Sequence, residues 1–163
     1  MFLKTCRIKK KIYSIVFQTY WRLQVYLLTH KLLMKPYILL VDDDADDIML
    51  LKDAIVSAND YYTLHEAHDG RMALDFLHSK KAERLPCLIV LDINMPVLNG
   101  RELLAIMKSD EELKDVPVIF FTTSSHPEDV KYAAQFNVEL ITKPFNLSLL
   151  SEAAKKIITF CNA

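Results

Sequence analysis

The stretch that decides the fold is residues 87–100, CLIVLDINMPVLNG. Its first five residues are all apolar, and Asp92 follows them directly. A short, uninterrupted apolar run is typical of a strand that is buried on both faces of a parallel sheet, whereas a half-exposed strand alternates apolar and polar side chains. We therefore predict a central strand at 87–91 whose carboxyl end carries a charged group.

Similar segments recur on both sides of this stretch. We predict further strands at 37–41, 61–67, 116–121 and 138–142. Apolar residues at helical spacing predict helices at 46–58, 69–80, around 103–107, from 127 to about 136, and at 147–160. Regular alternation of strands and helices predicts an α/β fold in which helices cover both faces of a parallel sheet.

Glycine and cysteine exclude several classes of protein. The chain has only two glycines, Gly70 and Gly100, so it holds no glycine-rich loop for a dinucleotide or a phosphate. Its three cysteines, Cys6, Cys87 and Cys161, lie far apart, and their odd number argues against the disulfide framework of a secreted protein. We therefore expect reduced cysteines and a cytoplasmic location.

Charge divides the chain after residue 35. Residues 1–35 hold eight Lys or Arg and no acid, whereas residues 36–163 hold 12 basic and 21 acidic residues, a net charge of −9. Such a break is typical of a tail joined to a domain, so we predict a basic extension at 1–35 and one domain at 36–163. An acidic domain repels phosphate backbones, and nucleic acid is therefore not an expected partner.

Three interpretations of the extension remain open. Met34 stands directly before the first predicted strand, so a start there would make residues 1–33 upstream sequence. Alternatively, the basic and aromatic segment forms an amphipathic helix on a membrane or a partner, or it packs on the domain. Polar residues interrupt its apolar stretch at 12–28, which argues against a membrane span and a signal peptide.

Polar residues follow four of the predicted strands. Asp42 and Asp43 follow the first strand, Asp92 the third, Thr122 the fourth and Lys143 the fifth. The carboxyl ends of parallel strands meet at one edge of a sheet, where ligands bind, so we expect these side chains to converge.

The convergence predicts phosphoryl transfer. Three neighbouring carboxylates repel each other unless a hard cation lies between them, and Mg²⁺ binds carboxylate and phosphate oxygens. Asp92 is then an oxygen nucleophile, Thr122 a hydroxyl donor and Lys143 a positive charge for phosphate oxygens. Positioning and charge neutralisation are what phosphoryl transfer requires.

Four segments together resemble a known family. ILLVDDD, LIVLDINMPVLNG, VPVIFFTTSS and LITKPF are similar to the signature blocks of the receiver domain of bacterial response regulators, in order, over residues 36–160. The resemblance implies a flavodoxin-like (βα)5 three-layer sandwich with strand order 2-1-3-4-5. In the segments DDDADD, ELKDVPV and TTSS, the chain also resembles stand-alone receivers, including those that accompany phytochrome-type kinases.

The resemblance also assigns roles to residues. It implies that Asp92 accepts the phosphoryl group, that Asp42 and Asp43 form the acidic metal pair, and that Thr122 and Lys143 are the switch hydroxyl and the site lysine. The Asn94 backbone carbonyl would complete the Mg²⁺ shell with Asp42, Asp43 and Asp92. The Lys143–Pro144 peptide is a candidate cis bond.

Several positions receive local predictions. Leu140 stands where the family often has Tyr or Phe, so a large aromatic switch is not expected. Thr123 replaces a frequent Ala or Gly, and its bulk narrows access for a phosphoryl donor. Asp44 and Asp46 are predicted to cap the first helix, and Gly100 to permit a positive φ in a turn.

The predicted function is that of a single-domain response regulator. A histidine kinase or a histidine phosphotransfer protein would phosphorylate Asp92 and so switch the binding of an unknown output partner, or homodimerisation, at the fourth helix, fifth strand and fifth helix. One alternative is a phosphatase of the haloacid-dehalogenase type with Asp42 and Asp44 in its D-x-D motif. Another is a pseudo-receiver that binds partners without phosphorylation.

Overall fold

The computed structural model describes residue 22 and residues 35–80 and 84–161. The chain divides after Lys35 into two units, and the architecture given below is that of the second. Apart from Arg22, the predictions for residues 1–34 lie outside the described residues and stay predictions. In the part of the chain that the structure describes, no helix combines the length and the apolar character that a membrane crossing needs.

The described part of the second unit alternates strands with helices throughout. The strands are β1 (Tyr37–Val41), β2 (Thr63–Ala67), β3 (Leu88–Leu91), β4 (Val118–Thr122) and β5 (Glu139–Thr142), and the helices are α1 (Ala45–Ala58), α2 (Gly70–Lys80), α3 (Gly100–Ser109), α4 (Pro127–Gln135) and α5 (Leu147–Thr159). All neighbouring strands pair in parallel, in the order β2-β1-β3-β4-β5. The predicted flavodoxin-like fold is confirmed, with small differences at the ends of elements.

The sheet separates two apolar cores. Leu39 and Val41 of β1 face the core that α2, α3 and α4 cover, whereas Ile38 and Leu40 face the core that α1 and α5 cover. Strands β1, β3 and β4 are therefore buried on both faces, which explains why their sequences are continuous apolar runs.

The expectation of reduced cysteines is wrong for one pair. Cys87 and Cys161 are 74 residues apart in sequence and form a disulfide. Cys87 immediately precedes β3 and Cys161 follows α5, and both pack against the core that α1 and α5 cover. Spacing in the sequence does not show this proximity, because it arises only when α5 packs across the sheet. Cys6 lies outside the described residues.

Candidate functional site

The carboxyl edge of the sheet brings the predicted acids together. The Asp92 backbone N–H donates to the Val41 carbonyl oxygen at 2.8 Å, which places Asp92 beside Asp42 on the neighbouring strand end. Asp42 and Asp92 are buried and Asp43 is exposed. One carboxylate oxygen of each lies within 4.8 Å of the others. Two buried acids and an exposed one thus share a small volume.

One lysine faces these acids. Lys143 Nζ lies 2.7 Å from Asp42 Oδ2, 2.7 Å from Asp47 Oδ2 and 3.8 Å from Asp92 Oδ1. Its backbone N–H donates to the Thr122 carbonyl oxygen at 2.9 Å, so the ends of β4 and β5 are tied together at the site. The Lys143 ammonium group therefore forms ion pairs with three carboxylates.

Burial and charge shift the pKa values of both central partners. Burial raises the pKa of the Asp42 carboxyl and the Asp92 charge adds to this, against the opposing effects of Lys143 and the Asp44 N–H. For Lys143, burial acts to lower the pKa, but hydrogen bonds to Asp42 and Asp47 and the nearby negative charges outweigh it and raise the pKa. Lys143 is therefore cationic at neutral pH, while ionised Asp42 is costly.

The donor set fits a hard divalent cation. Asp42, Asp43 and Asp92 offer carboxylate oxygens at a spacing that one ion bridges, and such oxygens are the ligands that Mg²⁺ and Mn²⁺ prefer. The Asn94 backbone N–H donates to Asp92 Oδ2 at 3.0 Å, which fixes one oxygen and leaves Oδ1 on the Lys143 side. The role of the Asn94 carbonyl as a ligand stays a prediction.

Thr122 ends β4 at the same edge. Its side chain is fully buried, and its Oγ1 accepts a hydrogen bond from the Ser124 N–H at 3.2 Å. Thr123 next to it is exposed. Leu140 is partly buried and packs against the core that α2, α3 and α4 cover. An aliphatic side chain therefore occupies the position at which the family often has an aromatic switch.

The loop after Asp92 corrects one prediction. No glycine among the described residues has a positive φ, whereas Val97 has a φ of 67°. Gly100 is needed for another reason, since a Cβ there would stand 2.1 Å from the Asp92 carbonyl oxygen. The start of α3 thus lies against the backbone of Asp92. The described residues also contain no cis peptide bond, so the expectation for Lys143–Pro144 is wrong.

The residues around Asp42 show what the sequence prediction missed. Asp44 caps α1 as predicted, with its side chain accepting from the N–H groups of Asp46 and Asp47. Asp46 lies in the first turn and is not the cap. Asp47 was not predicted as a site residue, yet it holds Lys143. Asp47 lies four residues before the buried Leu51 and therefore on the same face of α1. This spacing in the sequence indicates that Asp47 faces the sheet.

Comparison with known proteins agrees with this geometry. The family model of the response regulator receiver domain matches residues 38–155. Response regulator Rcp1 of Synechocystis sp. is 34% identical over 127 residues, which cover 76% of this chain and 86% of that protein. Chemotaxis protein CheY of Pseudomonas aeruginosa is 33% identical over 126 residues, covering 77% and 98% of the two chains.

Solved structures agree as well. The structure of the phosphorylated cyanobacterial phytochrome response regulator RcpA superimposes with a TM-score of 0.72 at 34% identity, covering 80% of this chain and 96% of that one. The Mn²⁺-bound form of Rcp1 gives a TM-score of 0.69 at 33% identity, covering 77% and 93%. Sequence and architecture together show that the chain belongs to the response regulator receiver domain family.

Proposed function

We propose that this receiver accepts a phosphoryl group on Asp92. The observation that supports this most directly is the 3.8 Å approach of Lys143 Nζ to Asp92 Oδ1, beside Asp42 and Asp43 at the same sheet edge. The Asp92 carboxylate forms a bond to phosphorus while the phosphorus–nitrogen bond of a phosphohistidine breaks, and the electron pair stays on the imidazole. Lys143 and the Thr122 hydroxyl are placed to bind the phosphoryl oxygens.

The metal in this proposal is Mg²⁺, held by Asp42, Asp43, Asp92 and the Asn94 carbonyl. Bound there, the ion would supply positive charge that offsets the excess carboxylate charge and the charge of an incoming phosphoryl group. Two observations support a divalent ion, namely the spacing of the three carboxylates and the Mn²⁺-bound form of the similar protein Rcp1.

The donor and the output follow from the same proposal. A histidine kinase or a histidine phosphotransfer protein supplies the phosphoryl group, and α4, β5 and α5 present the phosphorylation state to an output partner or to a second copy of the chain. The protein takes part in its own phosphorylation and dephosphorylation but does not turn over a free substrate. We propose a cytoplasmic location, and a membrane association only through the basic segment at 1–35.

Labelling with a small phosphoryl donor tests this function. Acetyl phosphate with Mg²⁺ should add one phosphoryl group to the intact chain, as measured by mass spectrometry. Asp92→Asn should not be labelled. Asp75→Asn, a matched change at an exposed residue of α2, should be labelled like the unmodified protein.

Other results identify the alternatives. Sustained hydrolysis of a small phosphomonoester would favour the phosphatase interpretation, which used Asp42 and Asp44. Absence of labelling at any Mg²⁺ concentration, with the fold intact, would favour a pseudo-receiver that acts without phosphorylation. Labelling of Asp92→Asn at the same rate would place the acceptor elsewhere and contradict the proposal.

A further inference from the structure

Besides Asp42 and Asp92, a further buried carboxylate lies on the opposite face of the sheet from Asp47. Asp129, in the first turn of α4, is only 2% exposed. Its Oδ1 accepts from Arg101 Nε at 2.6 Å and also from Arg101 Nη2, and its Oδ2 accepts from the Ser124 hydroxyl. We call Arg101, Ser124 and Asp129 the Asp129 network.

One arm of the Asp129 network reaches the backbone of Asp92. Arg101 is the second residue of α3 and follows Gly100, whose N–H donates to the Ile93 carbonyl oxygen at 3.0 Å. Gly100 also lies against the Asp92 carbonyl oxygen, where a Cβ would not fit. The start of α3, and with it Arg101, is therefore fixed relative to Asp92.

Tyr132 reinforces the contact between α3 and α4. Its hydroxyl donates to the Arg101 carbonyl oxygen at 2.8 Å, and the Arg101 guanidinium carbon lies 5.7 Å from the centre of its ring. Arg101 is thus held by its side chain and by its backbone, both by residues of α4.

The other arm reaches Thr122. Ser124 is 7% exposed, and while its hydroxyl binds Asp129, its backbone N–H donates to Thr122 Oγ1. The bond from the Ser124 hydroxyl to Asp129 therefore fixes the position of Ser124, and the Ser124 N–H in turn binds the Thr122 hydroxyl oxygen. The two arms connect the backbone of Asp92 with the side chain of Thr122 by a route separate from the sheet.

We propose that Arg101, Ser124 and Asp129 are positioning residues that set the Thr122 hydroxyl relative to a phosphoryl group on Asp92. The inference rests on the proposed function, because Thr122 acts there by donating to a phosphoryl oxygen. In that state Thr122 donates its own proton, and its oxygen still accepts from the Ser124 N–H. The network restricts the threonine to this geometry, and oriented donors are what a phosphoryl-transfer site requires.

Ser124 is the position at which to test the proposal. Ser124→Ala removes the hydroxyl but keeps the N–H that Thr122 needs, and Asp129 keeps Arg101 as its partner. We expect phosphorylation by acetyl phosphate to slow about 3- to 10-fold, the range that one lost hydrogen bond explains. Ser124→Thr, which retains a hydroxyl, should restore the rate. Ser125→Ala, the same change at an exposed neighbour, should leave it unchanged.

Two further measurements separate positioning from a general loss of structure. Mg²⁺ affinity, measured by calorimetric titration, should be the same in Ser124→Ala as in the unmodified protein, because the hydroxyl that is removed binds Asp129 and not a carboxylate of Asp42, Asp43 or Asp92. In a Thr122→Val background, Ser124→Ala should have no further effect on the rate, since the hydroxyl that it positions is gone. Equal effects in both backgrounds would overturn the proposal, as would an unchanged rate in Ser124→Ala.

The controls distinguish this proposal from the function on which it rests. If the unmodified protein accepts no phosphoryl group, the proposed function fails, and the NMR signals of Thr122 then decide the inference. Those signals should shift in Ser124→Ala and stay in place in Ser125→Ala. If Thr122 responds equally to both changes, the Asp129 network does not position it.

Discussion

Two charged clusters at the carboxyl edge of the sheet balance their charges differently. On the side of α1 and α5, Lys143 is the one cation among the described residues that pairs with Asp42, Asp47 and Asp92. On the side of α3 and α4, Asp129 has Arg101 as a partner and a hydroxyl as a further donor. The first cluster, which we call the unmatched cluster, has an excess of negative charge. The second, which we call the matched cluster, has no excess.

This difference favours the first cluster as the ligand site of the proposed function. An excess of buried carboxylates raises the free energy of the site, so the binding of a divalent cation there would stabilise the protein. A matched buried pair gains nothing from a further ion, and its contribution is to hold α3 and α4 in place. Selective stabilisation of the first cluster by Mg²⁺ is therefore the property to test.

The largest effect is expected when the lysine of the unmatched cluster is removed. Lys143→Met leaves Asp42 and Asp92 buried without a cation, and we expect the free energy of unfolding to fall by about 3–5 kcal/mol in urea titrations without metal. Mg²⁺ should recover much of this loss. Lys156→Met, which breaks an exposed pair with Glu139, should cost less than about 1 kcal/mol. Equal losses in the two variants would contradict the comparison.

Mg²⁺ should not restore the stability that is lost when the arginine of the matched cluster is removed. Among the described residues, Arg101→Met leaves the buried Asp129 with the Ser124 hydroxyl as its remaining side-chain partner. Because the arginine is itself partly exposed, we expect a loss of about 2–3 kcal/mol. Mg²⁺ should shift the unfolding midpoint of this variant by the same amount as in the unmodified protein. A disproportionate recovery by Mg²⁺ would show that the two clusters are not independent.

The sequence predicts the fold and most of the unmatched cluster for a simple physical reason. Apolar runs such as 87–91 identify buried strands, and parallel pairing then brings Asp42, Asp92 and Lys143 to one edge whatever their separation along the chain. Strand ends are thus set by patterns that a sequence displays. The bounds of the elements differ by a few residues because terminal turns depend on local capping.

The matched cluster and the disulfide lie beyond such patterns. Ser124 and Asp129 are ordinary loop and helix-start residues in the sequence, and only the packing of α4 against α3 brings Arg101 to them. Cys87 and Cys161 meet in the same way, through the packing of a helix across the sheet. Contacts between side chains of different helices depend on tertiary geometry, and spacing along the chain carries little information about them.

Asp42 provides a smaller test with a definite sign. Because its pKa is raised above the ordinary 3.8, the folded state binds this proton more tightly than the unfolded state does. The stabilisation is complete below the unfolded pKa and is lost as pH rises through the folded pKa, so ionised Asp42 destabilises the metal-free protein at neutral pH.

Asp42→Asn removes that ionisation. Without metal, the variant should be more stable than the unmodified protein at pH 7, and the difference should shrink toward pH 4, as measured by urea unfolding. With Mg²⁺ the order should reverse, because a ligand is missing. Asp53→Asn, at an exposed position of α1, serves as the matched control and should show no reversal. A variant less stable than the unmodified protein without metal would mean that the Lys143 contact outweighs burial.

The smallest effect concerns the loop that joins Asp92 to α3. Val97 is 80% exposed and has a φ of 67°, a conformation that costs an L-residue about 1–2 kcal/mol. Glycine adopts it freely but costs about 0.5–1 kcal/mol in chain entropy, so Val97→Gly should stabilise the protein by up to about 1 kcal/mol in urea unfolding. Val130→Gly, at an exposed valine inside α4, should destabilise it instead.

Both valines are more than half exposed, 80% for Val97 and 52% for Val130, and they differ in backbone conformation, so opposite signs would assign the effect to strain in this loop. The loop connects Asp92 to the helix that carries Arg101. If Val97→Gly relieves only local strain, it should leave the Mg²⁺-dependent shift of the unfolding midpoint unchanged, since the carboxylates then keep their spacing. If Val97→Gly alters that shift, the loop also sets the position of Asp92 in the metal site, and the charge imbalance at this edge depends on the strained turn as well as on the lysine.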